Sequence, residues 1–210
     1  MKIVSIDLET TGLHPEKGDQ ILQFGAVFID DASPEYKCHK FERIIVHERI
    51  TGSPTALAMN ARYIAKIRDA WEQRDKYPTD ILNEVIYPGI MCSMEHLAHQ
   101  FATWLDDVDA WVTPYAESPK YKKINVIGKN YTTFDRRFLN EVPDWVRLIT
   151  TGHKMLDIAS VYCRPTDIDV PNFNECMKRA GMVDAECMHD AVSDANDVAM
   201  MWWLHANKNK

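Results

Sequence analysis

The sequence from Lys2 to Leu13, KIVSIDLETTGL, combines the pattern of a buried β-strand with two acidic residues. Side chains alternate between the two faces of a strand, so Asp7 and Glu9 project from the same face. Aspartate is poorly suited to strands, and two neighbouring anions are costly unless a cation accompanies them. The segment therefore predicts a central strand with a cation-binding pair; the alternative is a pair of acids on a solvated sheet face.

Four more segments predict a sheet around this strand, and the two early ones are rich in Ile, Val and Phe. The five expected strands are Lys2–Leu8, Ile21–Ile29, Phe41–Val46, Asn125–Gly128 and Met155–Ile158. The early strands follow one another directly, whereas helical patterns separate the later ones. This order predicts an α/β protein with a mixed five-stranded sheet flanked by helices.

Helical periodicity and capping residues predict the helices around this sheet. The expected helices are Thr55–Asn60 after a Ser53-Pro54 start, Ser93–Leu105, Thr132–Val142, Asn172–Ala180 before Gly181, and Asp190–Ala206. Residues 61–92 have no clear period, and we interpret them as a helical excursion with a loop. At 210 residues the chain suits one domain spanning residues 1–210.

The bulk composition limits the possible functions and locations. A net charge of −7 argues against a protein that coats nucleic acid electrostatically, although an acidic enzyme can still act on nucleic acid. No apolar run approaches the ~18 residues of a membrane span, and the first apolar run carries two acids, unlike a signal peptide. Five cysteines without Cys-x-x-Cys spacing predict reduced thiols. We therefore expect a cytoplasmic protein without a membrane partner.

Two later segments complete an acidic set with Asp7 and Glu9. Residues 128–139, GKNYTTFDRRFL, place Asp135 shortly after a Gly-x-Asn turn, and residues 189–194, HDAVSD, place Asp194 five residues after His189. With DLETTGL, these motifs resemble those of the DEDDh 3′→5′ exonucleases of the ribonuclease H-like superfamily, which include proofreading exonucleases, ribonuclease T and oligoribonucleases. The similarity is greatest to phage-encoded members. Three motifs in order cover nearly the whole chain.

Helix geometry restricts how the third motif can work. Residues five apart on an α-helix point about 140° away from each other, so His189 and Asp194 cannot share one helix face. Both can reach one site if His189 lies in the loop before the helix, Asp190 caps the helix and Asp194 lies in its early turns. Asp190 is then a cap rather than a ligand, and Asp197, one turn beyond, is the alternative ligand.

The resemblance implies a metal-dependent 3′→5′ exonuclease that releases nucleoside 5′-monophosphates by a two-metal mechanism. Four carboxylates suit two Mg²⁺ ions, for which Mn²⁺ can substitute. In such enzymes Asp7 would bridge both ions, Glu9 and Asp194 would hold the water-activating ion, and Asp135 would support the second. His189 would be the general base, because imidazole accepts protons near neutral pH.

Residues just after the first motif are candidates for holding the terminal nucleotide. The resemblance assigns this role to Thr10, Thr11 and Leu13. Formation of the Thr-Gly turn is an equally good explanation for the threonines. Both interpretations remain open at this point.

The segment that begins after Pro54 supplies a second group of substrate candidates. It resembles a helix of phage-encoded members that packs against terminal bases, which makes Leu57, Met59 and Asn60 candidates for a base wedge. Apolar residues at helical spacing are more often core residues. Asn130 either fixes the turn before Asp135 or approaches the substrate.

Basic and aromatic side chains near the second motif are weaker candidates. Arg136 and Arg137 could contact phosphate, although an arginine pair on a helix usually forms a solvated face. Base stacking on aromatic rings has four candidates, most of which we expect in the core: Trp104, Trp111, Tyr115 and Tyr131.

The expected substrate is the 3′ end of a single strand, with DNA preferred over RNA. An exoribonuclease or oligoribonuclease is the alternative, because the contacts that would sense a 2′-hydroxyl cannot be located in the sequence. A non-catalytic nucleic-acid-binding module is a remote alternative, since the acidic set and the histidine are complete. A polymerase or other replication partner could dock at residues 61–92.

Overall fold

A six-stranded sheet forms the centre of the computed structural model. The structure describes residues 1–73, 90–112, 123–152, 155–182 and 189–208. The strands are β1 (Lys2–Thr10), β2 (Ile21–Asp30), β3 (Cys38–Ile45), β4 (Met91–Cys92), β5 (Val126–Gly128) and β6 (Leu156–Asp157). Their order across the sheet is β4-β3-β2-β1-β5-β6.

The sheet is mixed, as the sequence predicts. β1, β2 and β3 form an antiparallel meander, while β4 joins β3 and β5 joins β1 in parallel. β6 extends the parallel side beyond β5. β1 is therefore a central strand, paired on both sides and buried along most of its length.

The prediction of five strands is wrong by one strand. Met91 and Cys92 form β4 at the end of the segment interpreted as helix and loop. A strand of two residues is too short to show alternation, so only its pairing with Ile44 and Ile45 reveals it. β3 also begins at Cys38, earlier than the predicted Phe41. The prediction missed this start because His39 and Lys40 are polar and exposed.

Helices cover both faces of the sheet. They are α1 (Pro54–Met59), α2 (Ala61–Gln73), α3 (Met94–Asp107), α4 (Asp135–Leu139), α5 (Trp145–Leu148), α6 (Ile158–Tyr162), α7 (Phe173–Ala180) and α8 (Ala191–Asn207), with a 3₁₀ turn at Pro15–Lys17. Among the helices of the described ranges, none has the length and apolar character that crossing a bilayer requires.

The capping residues correctly predict several helix ends. Ser53 accepts a hydrogen bond from the Ala56 amide at the start of α1, and Asn172 accepts one from the Glu175 amide at the start of α7. α7 ends at Gly181 in the left-handed conformation. The prediction for residues 132–142 is too long, because α4 contains only Asp135–Leu139 and turns flank it.

The described part of the excursion is a helix packed against the sheet. Tyr63, Ile67 and Ala70 of α2 join Leu22 and Ile44 in one apolar cluster. The apolar residues of α2 lie mainly on one side of the helix. The sequence shows this pattern only when residues 61–73 are considered without the segment that follows them. Residues 74–89, which contain the predicted loop, lie outside the described residues.

Alternation along β1 divides its side chains between two layers. Val4, Ile6 and Leu8 belong to the core cluster under α3, α4 and α5, whereas Ile3 belongs to the cluster under α6, α7 and α8. Because alternate side chains point to opposite faces, the acidic pair of β1 lies on the second face. The end of that face is where α8 begins.

Gly25 permits the close approach of α8 to the sheet. It is the pairing partner of Asp7 in β2, and a Cβ atom at this position would lie well within 3.0 Å of the backbone of Ala191. A glycine in the middle of a strand often marks such an approach of another backbone. The absent side chain therefore allows the first turn of α8 to lie beside the acidic pair of β1.

Four of the five cysteines lie in described segments, and all four are free: Cys38, Cys92, Cys163 and Cys176. This agrees with the prediction of reduced thiols for these four residues. Cys187 lies outside the described residues.

Replacement of Gly25 by alanine should destabilise the protein by about 1–3 kcal/mol, the usual cost of overpacking. The added methyl group meets backbone atoms, which cannot rotate away as a side chain can. Urea unfolding measures the loss. Lys40→Ala is the control, because Lys40 is an exposed residue of the neighbouring strand β3 and its replacement adds no atom to a packed face. A Gly25→Ala protein as stable as the parent would contradict the close packing.

Candidate metal centre

Three carboxylates from two elements converge at the start of α8. Asp7 and Glu9 come from β1 and Asp194 from the first turn of α8, and one oxygen of each lies within 4.8 Å of the others. Glu9 and Asp194 are buried, and Asp7 is half-buried. The same-face pair and the early-turn acid of the sequence prediction are thus brought together.

Asp135 lies beside this group and is almost completely buried, with 1% of its surface exposed. It is the first residue of α4, directly after the turn that follows β5. Neither carboxylate oxygen has a hydrogen-bond partner of good geometry among the described residues. A buried carboxylate without such partners is costly, and a bound cation would offset that cost.

Burial and mutual repulsion raise the pKa values of Asp7, Glu9 and Asp135. Burial has the largest effect on Asp7, whose pKa lies well above the usual value, and the charges of Asp135, Asp194 and Glu9 add to it. Burial also raises the pKa of Asp135, partly opposed by nearby backbone groups. The pKa of Glu9 is raised mainly by burial, and the Asn60 side chain opposes this effect most strongly. Deprotonated, the cluster would need positive charge from elsewhere.

The donor set fits hard divalent cations. Carboxylate oxygens are the ligands that Mg²⁺ prefers, and Asp135 has two oxygens without partners in the described structure. Asp7, Glu9 and Asp194 are within reach of one shared ion. The residues present therefore suit a bound divalent metal ion.

His189 lies immediately before α8, in the position that helix geometry requires. Its φ of 48° is in the left-handed region, its surface is exposed, and it lines the same cleft as the acids. It is close enough for its charge to lower the pKa of Glu9. The predicted arrangement of His189 before the helix and Asp194 within it is confirmed, whereas the role of each residue stays a prediction.

Asp190 is the helix cap that the sequence predicts. It accepts hydrogen bonds from the Ser193 amide (2.9 Å) and the Tyr63 hydroxyl (2.7 Å). Its carboxylate is thereby occupied. Asp197 is half-buried and does not belong to the group of acids gathered by Asp7, Glu9 and Asp194 in the described residues.

A cleft of about 420 Å³ opens over the acidic group. Its lining consists of Asp7, Leu8, Glu9, Thr10, Gly12, Leu13, Ser53, Thr55, Ala56, Met59, Asn60, Phe134, His189 and Asp194. The acids and His189 make one part polar, while Leu13, Met59 and Phe134 make another part apolar. Such a combination suits a ligand with a charged group and a flat apolar group.

The residues after the first motif have different environments. Thr11 is fully buried, and its hydroxyl accepts a hydrogen bond from the Gln20 amide (2.8 Å), which favours the turn-forming role. Thr10 lines the cleft, but its hydroxyl donates to the carbonyl of Gly12 (2.7 Å). Leu13 is 65% exposed and lines the cleft, so it is available to a ligand.

The three substrate candidates in and directly after α1 also have different environments. Met59 is 52% exposed and lines the cleft, whereas Leu57 is half-buried and does not line it. Asn60 is buried, and its amide donates to the carbonyl of Thr10 (3.1 Å). Asn60 therefore fastens α1 to β1 and lies next to Glu9.

Asn130 forms the turn before α4. Its φ is 61°, and its backbone N–H donates to the Asp157 carboxylate (2.8 Å). Arg137 pairs with Glu16 (2.7 Å), and Arg136 does not line the cleft. For Asn130, Arg136 and Arg137, the structure thus favours a structural role over a contact with the substrate.

Three of the four aromatic candidates belong to the core or border it. Tyr131 is buried, and Trp104 and Trp111 pack against the main apolar cluster. Tyr115 lies outside the described residues. The aromatic ring that lines the cleft is that of Phe134, whose place in the sequence indicates only packing on one side of a helix.

Gln23 is a site residue that the sequence motifs do not include. It is fully buried, accepts a hydrogen bond from the Ala191 amide (2.8 Å) and donates one to Glu42 (2.9 Å). It therefore joins β2 to the first turn of α8. The sequence carries one signal of this role, a single amide side chain in the otherwise apolar run of residues 21–29, because a buried polar side chain requires a partner.

Comparison with known proteins gives the fold, and one family model matches part of the chain. The RNase_T model, described as exonuclease, matches residues 4–60. The nuclease domain of 3′hExo, a DEDDh family member bound to rAMP, superimposes with a TM-score of 0.61 at 13% identity, covering 96% of this chain and 90% of that one. No curated protein sequence matches the chain.

Two further solved structures share the fold at 13% identity and 96% coverage of this chain. A full-length 3′-exonuclease gives a TM-score of 0.61 with 59% of its length covered, and a 3′-exonuclease with 3′-end-specific recognition of a histone mRNA stem-loop gives 0.60 with 80% covered. The resemblance drawn from the three motifs is confirmed for the fold, and the match of the exonuclease family model to residues 4–60 agrees with it.

The buried acids make the stability of the protein depend on pH when divalent ions are removed. A carboxyl group whose pKa is raised on folding binds more protons in the folded state, so the free energy of unfolding falls as pH rises from about 4. Asp135→Asn removes this penalty. With a chelator present, the free energy of unfolding of the variant should exceed that of the parent by on the order of 1 kcal/mol or more near neutral pH. Near pH 4 the two proteins should differ little.

Thermal or urea unfolding at several pH values, with EDTA present, measures this difference. Asp106→Asn is the matched control, because Asp106 is an exposed acid in the last turn of α3. A gain for Asp135→Asn that is the same at every pH would refute the electrostatic explanation.

Proposed function

We propose that this protein is a DEDDh-type exonuclease of the ribonuclease H-like superfamily and that it removes nucleoside 5′-monophosphates from the 3′ end of single-stranded nucleic acid. The observation that carries the proposal is the convergence of Asp7, Glu9 and Asp194 within 4.8 Å in a cleft that His189 also lines. Hydrolysis of a phosphodiester requires an activated water and stabilisation of the leaving oxygen. Acids and an imidazole in one cleft can support both requirements.

The acids would hold two Mg²⁺ ions, with Mn²⁺ as a substitute. Asp7, Glu9 and Asp194 would share one ion, and Asp135 would contribute to the second. Bound there, the ions would supply Lewis-acid activation of water and stabilisation of the charge on phosphorus-bound oxygens. The oxygens of Asp135 without partners support this assignment.

The protein's own residues would perform the proton transfer and the positioning. His189 would accept the proton of the attacking water, which an exposed imidazole can pass to solvent. Asn60 would hold the Glu9 carboxylate in place through the hydrogen bond that also affects the pKa of Glu9. Glu9 and Asp194 would keep the water beside the phosphorus.

The apolar part of the cleft would hold the terminal base. Leu13, Met59 and Phe134 offer surface to the face of a base without selecting among bases, because every base has a flat apolar face. The cleft is next to the Thr10–Leu13 turn, which would contact the terminal sugar. The 3′→5′ direction follows from the resemblance of this turn to that of the related enzymes.

DNA is the first candidate for the strand, as the sequence resemblance suggests. RNA is the second candidate, since one similar structure is bound to rAMP and another recognises a histone mRNA stem-loop. An exoribonuclease or oligoribonuclease would use the same acids. A cytoplasmic location and a polymerase or replication partner stay predictions.

Purified protein with Mg²⁺ should shorten 5′-labelled single-stranded DNA in single-nucleotide steps and release labelled mononucleotide from 3′-labelled DNA. Matched RNA and duplex DNA in parallel reactions rank the substrates. Asp7→Ala should abolish the activity, and His189→Ala should reduce kcat about 10²–10⁴-fold, the usual contribution of a general base. Failure to release mononucleotides from DNA or RNA with Mg²⁺ or Mn²⁺ would favour the non-catalytic alternative.

The proposed base contact predicts a separate effect on substrate binding. Met59→Ala should raise KM for a single strand several-fold while kcat changes less, because the truncation removes apolar contact with the terminal base worth about 1 kcal/mol. Leu57→Ala is the matched control on the same helix, since Leu57 does not line the cleft. Steady-state kinetics on both variants test the wedge, and an equal KM increase in both would argue against it.

A further inference from the structure

Helix α2 holds the backbone of the histidine segment through Arg62. The guanidinium of Arg62 donates from Nη2 to the carbonyl oxygen of His189 (2.8 Å). It lies over the Tyr63 ring, with 4.6 Å between Cζ and the ring centroid, and the Tyr63 oxygen is 2.7 Å from Nη2. Arg62 and His189, which are 127 positions apart in the sequence, are thus connected directly beside the acidic group.

Asp190, the next residue, is held from the same helix. Its Oδ2 accepts hydrogen bonds from the Tyr63 hydroxyl (2.7 Å) and from Arg62 (3.3 Å), while Oδ1 caps the Ser193 amide (2.9 Å). Gln23 also donates weakly to Oδ2 (3.4 Å). The backbone on the C-terminal side of His189 is therefore fixed to α2, β2 and α8.

His189 has a backbone conformation that needs such support. Its φ of 48° lies in the left-handed region, which costs a residue with a side chain about 1–2 kcal/mol. Residues persist in this region when surrounding contacts determine their conformation. The bond from Arg62 to the His189 carbonyl is one of these contacts, and it holds the peptide group on the C-terminal side of His189.

Two explanations of Arg62 differ in the partner of the side chain. It could bind a substrate phosphate, since it is a cation near Glu9 with 49% of its side chain exposed. However, the Nη2 atom already contacts His189, Tyr63 and Asp190, and Arg62 does not line the cleft. The contacts favour an action through His189.

We propose that Arg62 is a positioning residue that holds His189 in its left-handed conformation and thereby directs the imidazole into the cleft. This inference rests on the proposed function, because it assigns to His189 the proton transfer of that reaction. It adds a requirement that the three acidic motifs do not contain, namely an arginine on the helix after α1.

Arg62→Ala should lower kcat about 10–100-fold with little change in KM, since a misplaced reacting group costs rate rather than binding. Arg62→Lys should recover part of the rate, because an ammonium group can donate to one carbonyl but cannot reproduce the planar group over Tyr63. Arg68→Ala is the control on the same helix, because Arg68 pairs with Asp69 and with Glu72. It should behave as the parent protein does.

A double-mutant cycle with His189→Ala separates the two explanations of Arg62. If Arg62 acts through His189, Arg62→Ala should cause no further loss in the His189→Ala background. An additive loss, or a rise in KM for Arg62→Ala alone, would overturn the proposal and assign Arg62 to phosphate binding.

A measurement without substrate keeps this inference distinguishable from the proposed function. In protein with ¹⁵N-labelled histidine, the His189 ring signals are assigned by their loss in His189→Ala. Arg62→Ala should shift these signals, whereas Arg68→Ala should leave them in place. Unchanged His189 signals in Arg62→Ala would overturn the positioning role. If the parent protein releases no nucleotides although Arg62→Ala moves the signals, the proposed function fails while the structural tie stands.

Discussion

Carboxylates repel one another most strongly where water is excluded, and three structural elements direct four of them to one place. Asp7 and Glu9 from β1, Asp135 from α4 and Asp194 from α8 converge there. Repulsion would move flexible side chains apart. These acids are kept together because each stands on an element packed into the core. The arrangement of strands and helices around them is therefore a scaffold that opposes their repulsion.

Two features of the chain make this convergence possible. Alternation along β1 separates its apolar residues from its acids, so that one strand can complete a core and carry a site. Gly25, which pairs with Asp7 across β1 and β2, then leaves room for the first turn of α8. Without that space the helix would lie farther from the sheet, and Asp194 would be farther from Asp7.

The parts of the site that depend on local geometry could be predicted from the sequence. The same-face pair on β1, the cap at Asp190 and the place of His189 before α8 follow from strand alternation and from the turn angle of a helix. The glycine-asparagine turn likewise predicts Asp135 on the helix that follows, although that helix begins at Asp135 and not at the predicted Thr132. Each of these inferences concerns residues that are close together in the chain.

The parts that depend on contacts between distant residues could not be predicted. β4 exists because Met91 and Cys92 pair with β3, and two residues have no period of their own. Arg62 and Gln23 reach the start of α8 across 127 and 168 positions of sequence. Phe134 carries an ordinary helical pattern, although the fold directs its ring to the cleft. Only the assembled fold gives these residues their partners.

The raised pKa of Asp135 and of Asp7 gives metal uptake a chemical cost that the ligand set alone does not indicate. Protons stay on these carboxyl groups to a higher pH than on ordinary ones, and a divalent ion must displace them before it can bind. Proton and cation therefore compete for the same oxygens. Uptake of the proposed ion would release protons into the solvent, and its apparent affinity would rise with pH, so that acidity and divalent-ion concentration would act on the site as linked variables.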